Sequence, residues 1–338
     1  MTITFGKLAA AGVAAAAMAA VALPASAATT TLKVASCLVR NHDQVESYFK
    51  TFHEPINAMT AKTGLALNYI GGPEVTPWKK QAVAVQRGLI DIINCPSAYY
   101  QGQVPAGRVA GVNNVPPAEI RKNGGMEIMQ EAWKKGLNAK ILGWGHWEAS
   151  RFFIYTKFEP KQDPKLGIDL AGKKIRSTPL YSDFLKKMNA TAVTIAPGDV
   201  YAALERGVVD GLAWPEGSVA VYGWERFLKY KITPAFFHST TMTIMNLDKF
   251  NSLSKEHQDL LMKQGLIYEE KSNDLLFQKS EIDNAKLVKA GIKDIELKGD
   301  IAKAYLKTIY GAKWEANDKA KYNVDYTALK SKVFDPNN

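Results

Sequence analysis

The sequence predicts an α/β protein of two lobes, each a mixed sheet flanked by helices, with one long helix bracing both. Three observations lead there. Short strand-like apolar runs alternate with helix-like ones, the pattern of sheets covered on both faces. An internal echo, Val85-Gln86-Arg87-Gly88-Leu89-Ile90-Asp91-Ile92, recurs as Leu204-Glu205-Arg206-Gly207-Val208-Val209-Asp210-Gly211. Each copy reads as a helix end, a glycine stop and a short apolar strand. Finally, 338 residues are too many for one ordinary core, and with 46% of them hydrophobic the chain can bury two.

The elements follow in order. Lys7, the Ala-rich run Leu8 to Leu23 and the small residues Ala25-Ser26-Ala27 read as an export signal, residues 1–27, cleaved before Ala28. The first lobe takes strands at Leu32–Ser36, Leu65–Ile70 and Ile90–Asn94, with helices at Asp43–Thr63 and Trp78–Gln86. The second takes strands at Lys174–Arg176 and Ala192–Ile195, with helices at Tyr181–Met188 and Asp199–Arg206. The crossing falls near Trp147 to Arg151 and the return near Thr241 to Asn246. From Lys255 to about Ala290 no proline interrupts a helical period carried by Leu260, Leu261, Leu266, Ile267, Leu275, Leu276 and Ile282, and Asp300–Trp314 reads as another amphipathic helix. The expected division is 28–148 with 241–275 for lobe one and 149–240 with 276–338 for lobe two. Ligands in such sheets sit beyond the carboxyl ends of the strands, so the cleft between lobes is the expected site.

Charge and composition exclude several classes. The formal charge is +10, and loss of residues 1–27 removes Lys7 alone, leaving +9. The lysines are scattered, often beside acids as in Glu269-Glu270-Lys271, with no basic run and no nucleic-acid motif, so a solvated surface that attracts anions is expected and nucleic acid is not. No later segment is long and apolar enough to span a bilayer, and the product is expected not to be membrane-embedded. Two cysteines and five dispersed histidines assemble no metal site, and no cofactor is expected. There is no Gly-x-Ser-x-Gly elbow, Walker loop, His-Glu-x-x-His or Gly-x-Gly-x-x-Gly, so an enzyme is not expected. Cys37 and Cys95 each follow a strand; neighbouring strands would let them form a disulfide, and otherwise they are two small side chains lining a pocket.

Several linked pieces, Leu170-Ala171-Gly172-Lys173-Lys174-Ile175-Arg176, Asp199-Val200-Tyr201-Ala202-Ala203-Leu204, Arg206 to Gly211, and the Arg151 that opens Arg151-Phe152-Phe153-Ile154-Tyr155-Thr156, make the chain similar to a known family. It resembles the extracytoplasmic solute-binding proteins of tripartite ATP-independent periplasmic (TRAP) transporters, relatives of C4-dicarboxylate and sialic acid binders. The resemblance covers essentially the whole mature chain. It implies a type II-like periplasmic binding fold and a receptor that passes its ligand to TRAP permease membrane subunits. It also implies that Arg176 holds the ligand carboxylate, a role suited to a guanidinium fork that cannot lose its proton. Arg151 matches a cleft-lining position of the family, with an ion pair to Glu148 or Asp199 as its other reading, and Asn246 matches a position on the returning strand, where it can instead satisfy backbone groups.

The departures from the family bear on the ligand. Trp214 stands where many relatives carry asparagine, and Trp78 falls near another ligand-facing position, although each can also be core. Trp147 adjoins the crossing and can face the cleft. Glu74 can accept from a ligand or simply start a helix. Glu216, beside Trp214, is weak ground for a metal ion. The ligand expected is an organic acid, a monocarboxylate with an aromatic or apolar body of 2-oxo or 2-hydroxy type, packed between Trp78 and Trp214. The alternatives are a C4-dicarboxylate, or an exported receptor that signals to a sensor protein.

Overall fold

In a computed structural model of the chain, residues 1–4 and 29–336 are described; the export signal read at residues 1–27 therefore lies almost wholly outside the described residues. Strands β1 (Thr30–Ser36), β2 (Leu65–Gly71), β3 (Ile92–Pro96) and β4 (Ala139–Trp144) start the first sheet. The chain then crosses to a second sheet with β5 (Phe152–Thr156), a small hairpin β6 (Lys161–Asp163) and β7 (Gly167–Asp169), then β8 (Lys174–Ser177), β9 (Thr191–Thr194), β10 (Gly211–Pro215) and β11 (Tyr230–Phe236). It returns with β12 (Thr241–Asn246) and ends its strands with β13 (Lys293–Glu296). The first sheet runs β2-β1-β3-β12-β4 and the second β9-β8-β10-β5-β11, with β13 added beside β11. Both have three parallel strands followed by two that alternate in direction. Two lobes of one topology are therefore joined at 145–151 and 237–240.

The echoed segment builds the same corner in each lobe. Gly88 and Gly207 stop the helices Gln81–Gln86 and Val200–Glu205 in the left-handed region, at φ +68° and +70°. Leu89 and Val208 then donate back to the Ala84 and Ala203 carbonyls, both at 2.9 Å. Asp91 and Asp210 accept from the backbone N–H of Lys33 (2.7 Å) and Lys174 (2.9 Å), so each acid ties the start of one central strand to its neighbour.

Helical structure from Asp43 to Thr63 is interrupted by a π turn at Phe49–His53. Pro55 has no N–H to give the Thr51 carbonyl, which instead accepts from Gln264 of the long helix at 2.6 Å. That helix, Lys255–Lys289, is capped by Ser254, whose side chain accepts from the His257 N–H. It lies so close to the first sheet that a Cβ on Gly265 would stand 1.9 Å from the Leu142 carbonyl. Toward its end, Asp283 and Asn284 accept from Ala220 N–H (3.1 Å) and Lys231 Nζ (3.4 Å) of the second lobe, so the helix braces both. The apolar period read from the sequence is only part of its buried face. Leu266 and Ile282 are exposed, whereas Gln264, Ser272, Ser280 and Asp283 are buried, because a helix crossing two lobes meets backbone and polar junctions as well as core.

The C-terminal segment is shared between lobes. Helix Gly299–Asp318 packs on helix Ser182–Lys187, β7 and β11, but helix Tyr326–Val333 packs on helix Gly125–Leu137 of the first lobe. The expectation that 276–338 belongs to lobe two is corrected accordingly. One apolar cluster runs from Phe52 and Leu67 in the first lobe to Trp214 and Leu228 in the second, so the lobes share buried surface.

Candidate functional site

A narrow cavity lies where the carboxyl ends of the parallel strands of both sheets face each other. His42, Gln44 and Tyr99 line it from the first lobe, and Phe152, Tyr181 and Trp214 from the second. No Asp, Glu, Lys or Arg lines it directly. Arg176, on β8, lies behind Tyr181 and Trp214. Its side chain is fully buried, its Nε donates to the Ile195 carbonyl at 3.0 Å, and its Nη1 donates to the Tyr181 hydroxyl at 2.5 Å. Its guanidinium sits 5.0 Å from the Trp214 ring centre. Nη2 has no hydrogen-bond partner, and no carboxylate forms an ion pair with this arginine among the described residues. A buried charge without a counter-ion is costly, so this geometry calls for an anion.

The surrounding aromatic groups are held neutral. Burial pushes the Tyr99 and Tyr181 hydroxyls up, with nearby Arg176 opposing in both. His42 caps the helix that starts at Asp43, its Nδ1 accepting from Gln44 N–H at 3.1 Å. Burial lowers its pKa to about 4 even though Asp43 and Glu46 favour the charged form. Gln44 ties the crossing segments together: Nε2 donates to Ser150 Oγ at 2.8 Å, and Oε1 accepts from the Thr241 hydroxyl at 2.9 Å. Asp43 joins the lobes directly, its N–H donating to Ser218 Oγ (3.1 Å) and its Oδ2 accepting from the same hydroxyl (2.9 Å).

The other sequence candidates are dispersed. Trp78 is 9% exposed and packs edge-on to Tyr99 at 4.2 Å in the first-lobe core; Tyr99, not Trp78, reaches the cavity. Arg151 and Trp147 line a second, wider groove together with His238, Tyr310 and Trp314. Trp147 is stacked on His238 at 4.0 Å, which pins one crossing segment to the other, and Arg151 Nε donates to the Phe237 carbonyl at 2.8 Å rather than pairing with Glu148 or Asp199. Asn246 caps helix Leu247–Asn251 and donates to the Val85 carbonyl at 2.9 Å, at the opposite end of β12 from the cavity. Glu74 is exposed and accepts from Gly72 N–H at 2.6 Å, closing a turn. Glu216 pairs with buried Lys231 at 3.0 Å, so a protein cation already occupies it. Cys37 and Cys95 form a disulfide, with Cα atoms 4.9 Å apart on neighbouring strand ends.

The lining residues that sequence reasoning missed include His42, Gln44, Tyr99, Phe152 and Tyr181. A signal existed for two of them: His42 precedes the first helix after β1, and Tyr181 precedes the equivalent helix after β8. Nothing local in the sequence marks Tyr99.

Comparison with known proteins agrees with the two-lobed fold. The model of the bacterial extracellular solute-binding protein family 7 matches residues 39–310. The chain is 23% identical over 280 residues to a monocarboxylate 2-oxoacid-binding periplasmic protein of Nostoc, covering 70% of this chain and 71% of that one. In fold it resembles a Bordetella pertussis extracytoplasmic solute receptor binding pyroglutamic acid (TM-score 0.77, 18% identity, 90% of this chain and 99% of that one). It likewise resembles a TRAP periplasmic solute-binding protein from Citrobacter koseri with bound D-glucuronate (TM-score 0.73, 19% identity, 90% and 98%).

Proposed function

We infer, for a chain that belongs to family 7 of the bacterial extracellular solute-binding proteins, that it is a periplasmic receptor which closes on an organic acid and delivers it to the membrane subunits of a TRAP permease. The family is one of solute receptors and not of enzymes. No helix among the described residues is long and apolar enough to cross a membrane. Export through the segment 1–27 is part of the proposal.

The observation that carries the reading is Arg176, a buried guanidinium beside an interlobe cavity whose Nη2 has no hydrogen-bond partner and which has no acid partner among the described residues. A ligand carboxylate supplies the missing charge. Charged hydrogen bonds of this kind contribute ~1.5–3 kcal/mol, about 10-fold or more in affinity. The cavity supports a monocarboxylate with an aromatic or apolar body over a C4-dicarboxylate, because no second cation lines it while Phe152, Tyr99 and Trp214 do. A ligand held between the lobes favours the closed form through contacts that the open form lacks, and the Asp43–Ser218 bonds across the lobes fit such a closed form. Isothermal titration against a panel of aromatic, branched aliphatic and C4-dicarboxylic acids, with mass spectrometry of whatever co-purifies, tests this. Clear preference for a small dicarboxylate rejects the monocarboxylate reading.

A further inference from the structure

The second-lobe wall of the cavity is held from behind by a cation. The segment joining β8 to helix Ser182–Lys187 lends Thr178, Leu180 and Tyr181 to the lining, and Tyr181 is also the residue whose hydroxyl takes Arg176 Nη1. Between them, the Pro179 carbonyl accepts from Lys313 Nζ at 3.1 Å and from Gln101 Nε2 of the first lobe at 3.4 Å. Leu180 packs against Gly111 of the first lobe, where a β-carbon would collide with its Cδ1. Lys313 stands on helix Gly299–Asp318 with its side chain wholly buried, outside the cavity lining. Its acid partner is Asp183, at 3.4 Å and partly exposed. Lysine is almost never buried unless its charge is met, and drying an ion pair costs both partners. An apolar side chain of similar size in such a place is often as stable or more so. The position of Lys313 therefore asks for a role other than cohesion.

Resting on the carboxylate reading above, we propose that Lys313 is a positioning residue for ligand capture: it fixes the Thr178–Tyr181 wall, and through the Tyr181 hydroxyl the orientation of Arg176, without touching the ligand. Without its donor, the Pro179 carbonyl keeps only the longer bond from Gln101, and the wall that orients the guanidinium loosens. The charge of Lys313 has a second effect. Burial brings its pKa down to about 8, with Asp183 resisting the fall and Arg108 adding to it. An anion taken up beside Arg176 favours the charged ammonium and so raises that pKa in the bound form. Binding is then strongest below pH 8 and weakens as pH rises through that value. From the elements packed against it, helix Ser182–Lys187 presents Asp183, with Lys186 and Lys187 exposed beyond, and the first lobe presents Arg108. Strands β7 and β11 carry Asp169, bonded to Asn189, Tyr230, and Lys231, bonded to Glu216. Burial pushes the Tyr181 and Tyr305 hydroxyls up, away from this range.

Titration calorimetry with phenylacetate, 4-methylpentanoate and succinate, from about pH 7 to about pH 9.5 where each stays ionised, tests this. The wild type is expected to bind the acid that fits roughly 10-fold less tightly at the alkaline end. Lys313→Met is expected to melt close to the wild type, to bind roughly 10-fold less tightly at neutral pH, and to show a level pH profile. Asp183→Asn, at a partly exposed site, removes the acid that supports the ammonium. It is expected to move the midpoint of the alkaline decline to lower pH, and it decides the matter if Lys313→Met does not fold. A level wild-type profile overturns the role of Lys313, as does wild-type affinity or the same alkaline decline in folded Lys313→Met. An unmoved midpoint in Asp183→Asn does so independently. Failure of every acid to bind the wild type at any pH defeats the carboxylate reading itself, whereas acid binding that ignores these substitutions leaves that reading standing and sinks only the role of Lys313.

Discussion

The two lobes carry the same strand-end corner and arm it differently. In the first, Val34 faces Ile92 and Ala35 faces Ile93 across β1 and β3; in the second, Ile175 faces Gly211 and Arg176 faces Leu212 across β8 and β10. The echoed acids Asp91 and Asp210 anchor both pairs through the same backbone bond. Beyond that frame the chemistry separates. Ala35 corresponds to Arg176, and Cys95, one residue before the strand-ending Pro96, corresponds to Trp214, one residue before the strand-ending Pro215. The first lobe closes its corner with a disulfide between Cys37 and Cys95, and the second leaves a buried cation against an indole. A duplicated frame thus provides one lobe that is stapled and one that holds a buried cation.

Four variants break or sharpen this contrast. Removing the staple has the largest expected effect. Cys37→Ser with Cys95→Ser opens a link between residues 58 apart and is expected to lower stability by ~2–5 kcal/mol, a fall in Tm of roughly 5–15 °C, with ligand affinity little changed. Thermal melts of the wild type with and without reductant check it, and a Tm indifferent to reductant would show that the first corner does not depend on the bond. Next comes Arg176→Ala, which gives the second lobe the residue that the first lobe has at the matching position. Affinity for the acid is expected to fall more than ~10-fold while the fold persists by circular dichroism. Unaltered affinity in a folded variant would end the case for this arginine as the anion's partner. The smallest effects are expected at the shared anchors: Asp91→Ala and Asp210→Ala each remove the carboxylate acceptor of one backbone N–H and cost about 1 kcal/mol in chemical denaturation. Asp91→Ala is the more costly of the two, since Asp91 is the more buried and water cannot replace it as readily. A large effect at one site with none at the other would show that the corners are not equivalent.

The elements of this fold were legible because they are local. A helix end, a positive-φ glycine and an acid at a fixed offset produced the same corner at residues 85–92 and 204–211, and both could be read from the residues in hand. The strand ends bearing Cys37, Cys95 and Arg176 were legible for the same reason. Membership of the cavity was not. Trp78 and Tyr99 touch, yet only Tyr99 reaches the cavity, and that depends on how the two rings pack. Arg151 and Trp147 flank the crossing, as expected, but the Trp147–His238 stack turns them toward another groove. Asn246 looks polar and available in sequence and is fully used as a helix cap.

By itself, the sequence determined two α/β lobes, a bracing helix and a lone arginine at a strand end, because turn chemistry and apolar period act over a few residues. Tertiary structure alone decided that this arginine is buried with one nitrogen free, that the cysteines are joined, and that Lys313 is buried behind the cavity wall. Each of these depends on groups that meet only when separate segments pack: Ile195 and Tyr181 around Arg176, β1 beside β3, and helix Gly299–Asp318 against Pro179. Short-range propensity carries no information about such meetings, since their free energy comes from burial and pairing between distant parts of the chain.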